Sequence, residues 1–215
     1  MQSLNTKIET PIKTKRGLIH VYTGSGKGKT TAAIGLALRA LGQGLRVYMI
    51  QFLKGGAYTG ELIAADNFLD NFNIVQFGKG CPKSDTQLSL TSFNCPKGHT
   101  VRDEISCGDC RLCFQIDDDE RVHARLALEN ARHILQKENY DMLILDEVNC
   151  AIKTDLIKVK DILELLELKP ENVEIVLTGR DAPDELIDVA DYVTEMREVK
   201  HPFANGIESR RGIEY

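Results

Sequence analysis

The run TGSGKGKTT, residues 23 to 31, follows the β-type stretch LIHVYT (18–23) and leads into the Ala/Leu-rich stretch from Thr30 to Leu41. Strand, glycine loop and helix in that order leave few folds open. Gly24, Gly26 and Gly28 permit backbone angles closed to other residues, so successive N–H groups can converge on an anion. The helix that follows adds its positive dipole end. Lys29 supplies a point charge and Thr30 a hydroxyl suited to a Mg²⁺ (or Mn²⁺) ion, as in nucleotide-binding loops of this type. Ser25, Lys27 and Thr31 complete the expected ATP cradle. The common pattern opens on glycine where this chain has Thr23, so the loop is a variant. A glycine-rich turn without a ligand is the plain alternative, and the order of the three elements argues against it.

The rest of the chain repeats the alternation. Leu45–Phe52 and Asn73–Phe77 read as strands, and Asp118–Glu138 as a helix with Ala124, Ala127, Leu128, Ala131, Ile134 and Leu135 on one face. MLILDE (142–147) reads as a buried strand ending in two carboxylates. Leu156–Leu168 is expected to be a helix, Val173–Thr178 a strand, Pro183–Val189 a helix and Tyr192–Met196 a last strand. Helix-separated apolar strands suit a mostly parallel sheet covered on both faces. The expected fold is a three-layer α/β domain of the phosphate-loop NTPase (RecA-like) type. It spans residues 17–215, behind a tail of residues 1–16 that lies free or straps the domain. Asp146 and Glu147 stand where phosphate-loop proteins carry their metal-binding acid, so Thr30, Asp146 and Glu147 are the expected Mg²⁺ ligands.

Charge and composition exclude other classes. The net charge is −5 with no broad basic block outside the tail, which argues against nucleic acid as the partner. No apolar run reaches the roughly 18 residues of a membrane span, and no apolar core follows the basic start, so a cytoplasmic protein is expected.

Periodicity is lost between Gly78 and Asp117, and a Cys-rich insertion is expected at about 81–117. Of six cysteines, Cys81, Cys95, Cys107, Cys110 and Cys113 fall within it and only Cys150 lies elsewhere. In a reducing compartment such clustering favours metal over disulfides. Cys95 with the C-x2-C-x2-C run 107, 110 and 113 offers four thiolates, enough for a closed Zn²⁺ site or an iron–sulfur cluster, with His99 as an alternative ligand. Cys150 is expected to be a small buried apolar residue, and His20 a packed strand residue.

Several separated strings then converge. VYMIQFLKGG (47–56), LILDEVNCAI (143–152) and VLTGRDAPDELIDVADYVTEMREVKHPFANGIESRRGIEY (176–215), together with the glycine loop, resemble the ATP:corrinoid adenosyltransferases with a phosphate-loop fold. The resemblance covers nearly all of 17–80 and 118–215 and leaves out the Cys-rich insertion. It implies transfer of the 5′-deoxyadenosyl group of ATP to the cobalt of a reduced corrinoid, with release of triphosphate, in adenosylcobalamin synthesis or salvage. It implies catalytic roles for Lys29, Thr30 and Glu147, nucleotide contacts from Lys54 and Arg180, and a neighbouring role for Glu61. It also implies a nucleotide held in reversed sense over the loop, a homodimer, and an electron donor such as a flavoprotein or ferredoxin. Lys200 and His201 either serve the closing segment or fix it. Phe77, Phe93 or Phe114 are candidates for the apolar ring beside cobalt, because the chain has no tryptophan. The alternatives are a phosphate-loop kinase or ATPase, and an ATP-binding corrinoid or metal sensor without turnover.

Overall fold

The computed structural model of the chain describes residues 15–56, 58–80 and 112–215. Six strands, β1 (Ile19–Thr23), β2 (Val47–Phe52), β3 (Phe72–Phe77), β4 (Met142–Asp146), β5 (Glu174–Thr178) and β6 (Tyr192–Glu195), form one sheet in the order β3-β2-β4-β5-β1-β6. Every neighbouring pair is parallel. All six carboxyl ends therefore open on one edge.

The helices are α1 (Lys29–Gly42), α2 (Gly60–Phe68), α3 (Asp118–Lys137), α4 (Val148–Lys153), α5 (Val159–Glu167) and α6 (Asp184–Val189). Strand alternation divides the core between two faces. Tyr48, Ile50, Phe52, Leu143, Leu145, Ile175 and Leu177 pack with α3, α5 and α6. Val47, Met49, Met142, Ile144 and Val176 pack under α1 and α2 on the other side. Helix α1 buries Ala33, Ala37 and Ala40, whose small side chains let it lie close over β4 and β5 as it crosses from β1 to β2. Helix α3 starts at Asp117, whose carboxylate accepts from the Glu120 N–H at 3.1 Å, and three acids in its first turn complement the dipole.

Two helices departed from the sequence expectation. Helix α2 buries only Leu62 and Ala65, too few for a visible stripe. Helix α4 is six residues long and begins directly at Glu147, where a continued strand end was expected. His20 does pack: its Nε2 lies 2.5 Å from Glu174 Oε1, and its ring stacks on Tyr192 at 4.7 Å. Most of the Cys-rich stretch, including Cys81, Cys95, His99, Cys107 and Cys110, and also Phe93, lies outside the described residues. Cys113 is half-buried in the 3-10 turn Leu112–Phe114. Among the described residues no helix is long and apolar enough to cross a membrane.

Candidate active site

The glycine loop joins β1 to α1 at the carboxyl edge of the sheet, where open α/β sheets take ligands. Gly24 and Gly28 have φ of 95° and 114°, in the left-handed region that favours glycine. Gly26 serves a different purpose. A Cβ there would lie 2.7 Å from the Arg197 carbonyl carbon and 2.8 Å from the Met196 oxygen. The segment after β6 presses on the loop, and the Gly26 N–H donates to Met196 O at 2.6 Å. Ser25 Oγ accepts from the Glu198 N–H at 3.4 Å. Lys29 is buried, and its Nζ folds back to donate to Gly24 O at 2.8 Å and Gly26 O at 2.7 Å. Burial lowers the Lys29 pKa, with Arg180 adding to the shift and Glu147 and Asp146 opposing it.

Asp146, at the end of β4, is completely buried. Its Oδ1 accepts from Thr30 Oγ1 at 2.8 Å and Thr178 Oγ1 at 2.7 Å. Its Oδ2 accepts from Lys54 Nζ at 2.9 Å and Gln51 Nε2 at 3.1 Å. Burial alone would raise the Asp146 pKa, but the Lys54 charge and these donors hold it below the usual carboxylate range. Lys54 also reaches Glu61 Oε1 at 3.4 Å, at the start of α2. Burial works against the charged ammonium, yet Asp146 and Glu61 hold its pKa above that of an ordinary lysine. The network extends outward through Gln51 Nε2 to Glu61 Oε1 at 2.9 Å and Gln76 Nε2 to Gln51 Oε1 at 2.8 Å.

Glu147 has φ 61° and ψ 16°, a left-handed conformation unusual outside glycine, and its N–H donates to Thr178 Oγ1 at 3.0 Å. The kink turns the chain from β4 into α4 and leaves the Glu147 side chain on the rim of a cavity of about 550 Å³. That volume falls within the range of small-ligand pockets. Lys29, Thr30, Lys54 and Arg180 line the same cavity. The closing segment roofs it, with His201 and residues 212–215 on its walls and Tyr215 edge-on to Tyr58 at 5.8 Å.

The donor set suits a hard divalent cation: a threonine hydroxyl and carboxylates, with no sulfur or imidazole among the expected ligands. Among the described residues no three His, Cys, Asp or Glu side chains converge as a complete cage. That pattern fits an ion completed by a substrate's phosphates, the usual way Mg²⁺ is held.

The comparisons with known proteins decide between the chemistries such a cavity could host. The sequence profile of the family described as ATP:corrinoid adenosyltransferase BtuR/CobO/CobP matches residues 15–215. A corrinoid adenosyltransferase of Sinorhizobium sp. is 34% identical over 202 residues, covering 94% of this chain and 81% of that protein. Corrinoid adenosyltransferases of Escherichia coli K12 (30%) and Salmonella typhimurium (CobA, 31%) each align over 201 residues, with 94% of this chain and 87% of theirs covered. This chain belongs to the ATP:corrinoid adenosyltransferase family. It is an enzyme that transfers an adenosyl group.

In this adenosyltransferase the residues expected from the motifs meet unevenly. Gly24 to Thr31, Lys54, Asp146 and Glu147 lie around one network and cavity. Arg180 reaches the same cavity from the end of β5, and its guanidinium is in no ion pair among the described residues. Cys150 corrects the sequence expectation of a buried apolar residue. It is half-buried, its Sγ accepts from the Arg180 N–H at 3.3 Å, and burial followed by Glu147 pushes its thiol pKa up to about 12. Lys200 is exposed, while His201 caps a short 3-10 turn, its Nδ1 accepting from the Phe203 N–H at 3.2 Å. Phe77 packs against the core at the end of β3. Sequence reasoning missed Gln51 and Thr178. Each is a polar residue near the end of an otherwise apolar strand, which was the available signal.

Proposed function

We propose that this enzyme joins the 5′-carbon of ATP to the cobalt of a reduced corrinoid, and that the cavity beside the glycine loop is where it does so. Cobalt(I) donates the electron pair of the new Co–C bond, the C5′–O bond breaks, and triphosphate departs with that bond's electrons. No protein nucleophile is needed. The task of the site is to hold a leaving group whose negative charge grows as the bond breaks. Lys29, the amides of residues 24–30 other than the Gly26 N–H, which Met196 O takes, and Arg180 would face that charge. The observation that carries this reading is the enclosure of Lys29, Thr30, Lys54, Glu147 and Arg180 around one cavity.

Thr30, Asp146 and Glu147 would hold Mg²⁺ or Mn²⁺, which when bound supplies further positive charge to the phosphates. In this reading Lys54 contacts the nucleotide from the β2 side, and a flavoprotein or ferredoxin keeps the corrinoid reduced. Family resemblance supports a homodimer. The test is a mixture of protein, ATP, Mg²⁺ and chemically reduced cobalamin under argon. It should yield an adenosylated corrinoid and stoichiometric triphosphate. Orthophosphate without adenosylation would point instead to a kinase or ATPase. Saturable ATP binding with neither product would point to a sensor.

The reading includes a bound metal at Cys95, Cys107, Cys110 and Cys113, supported by their spacing and number. Protein purified without oxygen should carry about one Zn²⁺ per chain, or iron with sulfide and a brown colour. Cys107→Ser together with Cys110→Ser should remove it. Unchanged metal content in that double variant would reject the site.

A further inference from the structure

Lys54 is the internal cation of a site expected to take a metal ion. Its ammonium occupies Asp146 Oδ2 at 2.9 Å and lies 3.4 Å from Glu61 Oε1, yet a quarter of its side chain remains accessible beside the cavity. The other lone pairs of Asp146 are also taken, by Thr30, Thr178 and Gln51. An ion approaching Asp146 must therefore displace a donor, and the charged donor on the cavity side is Lys54. Without that charge, the Asp146 and Glu61 carboxylates it bridges would lose their counter-ion beside the Thr30 hydroxyl, with Glu147 on the rim of the same cavity, and this net-negative edge would attract hard cations even without nucleotide.

We propose that Lys54 is a built-in stand-in for the divalent ion, so that metal enters only together with the nucleotide. The Lys54 charge neutralises the buried carboxylate, which burial would otherwise make very costly. A free divalent ion then meets a positive charge and saturated oxygens. A triphosphate brings several negative charges, which offset Lys54 and supply the oxygen ligands the protein lacks. The long, flexible lysine stem lets the ammonium turn from Asp146 toward phosphate without moving the backbone. The inference rests on the proposed role of the carboxylates in holding the ion.

Mn²⁺ binding to nucleotide-free protein, read from the electron paramagnetic resonance signal of the free ion, tests this directly. Wild type should bind Mn²⁺ at least tenfold more weakly without ATP than with it. Equal affinity would overturn the proposal, with no variant needed. Lys54→Gln keeps a donor to Asp146 but removes the charge, and Lys54→Met is the second neutral variant. Whichever retains a cooperative melt should bind one Mn²⁺ per chain at least tenfold tighter than nucleotide-free wild type, while Lys54→Arg should not. A neutral variant that binds no tighter overturns the proposal. So does a gained site that survives Glu147→Gln in the same background, because the ion then sits elsewhere. The underlying role of the carboxylates is judged separately, on Mn²⁺ with ATP. If Glu147→Gln leaves that binding at the wild-type level, that reading fails whatever Lys54 does.

Discussion

Lys29→Ala is expected to slow adenosyl transfer by about 10²–10³-fold, the loss typical when one donor to a developing negative charge is removed. The ammonium is buried, so its charge is poorly screened, and it lies within the loop that would carry the phosphates. Because the charge on triphosphate grows as the C5′–O bond breaks, the loss should fall mainly on the maximal rate, with a smaller change in apparent affinity for ATP. Single-turnover conversion of reduced corrinoid, followed by its visible spectrum, measures this. A rate within tenfold of wild type would remove Lys29 from the chemistry. Lys29→Arg should recover part of the rate if charge is what matters, and none if the two carbonyl contacts within the loop are its whole role.

Asp146→Ala is expected to lower stability by about 3–5 kcal/mol, the usual consequence of removing one partner of a buried, hydrogen-bonded charge. The side chain has no solvent exposure and accepts four hydrogen bonds. Its loss leaves Lys54 with Glu61 alone, at 3.4 Å, and the Thr30 and Thr178 hydroxyls without their acceptor. A loss of that size is a large part of the 5–15 kcal/mol by which domains are usually stable. The guanidinium unfolding midpoint should fall clearly, with Asp146→Asn falling less because it keeps an acceptor oxygen. An unchanged midpoint in the alanine variant would mean that Lys54 and the hydroxyls find other partners at no cost. Activity should be lost in both variants, since Thr30 and Lys54 lose the charge that orients them.

The two outcomes reflect different degrees of legibility in the sequence. The loop could be read directly because its requirements are local. Positive φ at Gly24 and Gly28 and the helix start at Lys29 all arise within nine residues. Asp146 could be read as a strand end, since an apolar run closing on an acid has few other uses. The left-handed turn at Glu147, and the helix it starts, could not. No cap residue announces α4, and the conformation is held from 31 residues away by the Thr178 hydroxyl. Helix α2 escaped notice because two buried residues in nine make no periodic signal. Cys150 was read as apolar because a cysteine outside the cluster usually packs as a small hydrophobe, whereas its thiol lies beside Glu147 and accepts from the Arg180 amide, 30 residues away.

Sequence alone thus determined the glycine loop, the alternation of strands and helices, and the family, because each depends on residues close together in the chain or on several strings matched one by one. Tertiary structure decided how the site is wired. Lys54 and Asp146 are 92 residues apart, Thr30 and Asp146 are 116 apart, and Ser25 and Glu198 are 173 apart. They meet because the strand order β3-β2-β4-β5-β1-β6 gathers the carboxyl ends of β1, β2, β4 and β6 on one edge. That order is set by which strands bury their faces together, a long-range choice that no local stretch encodes.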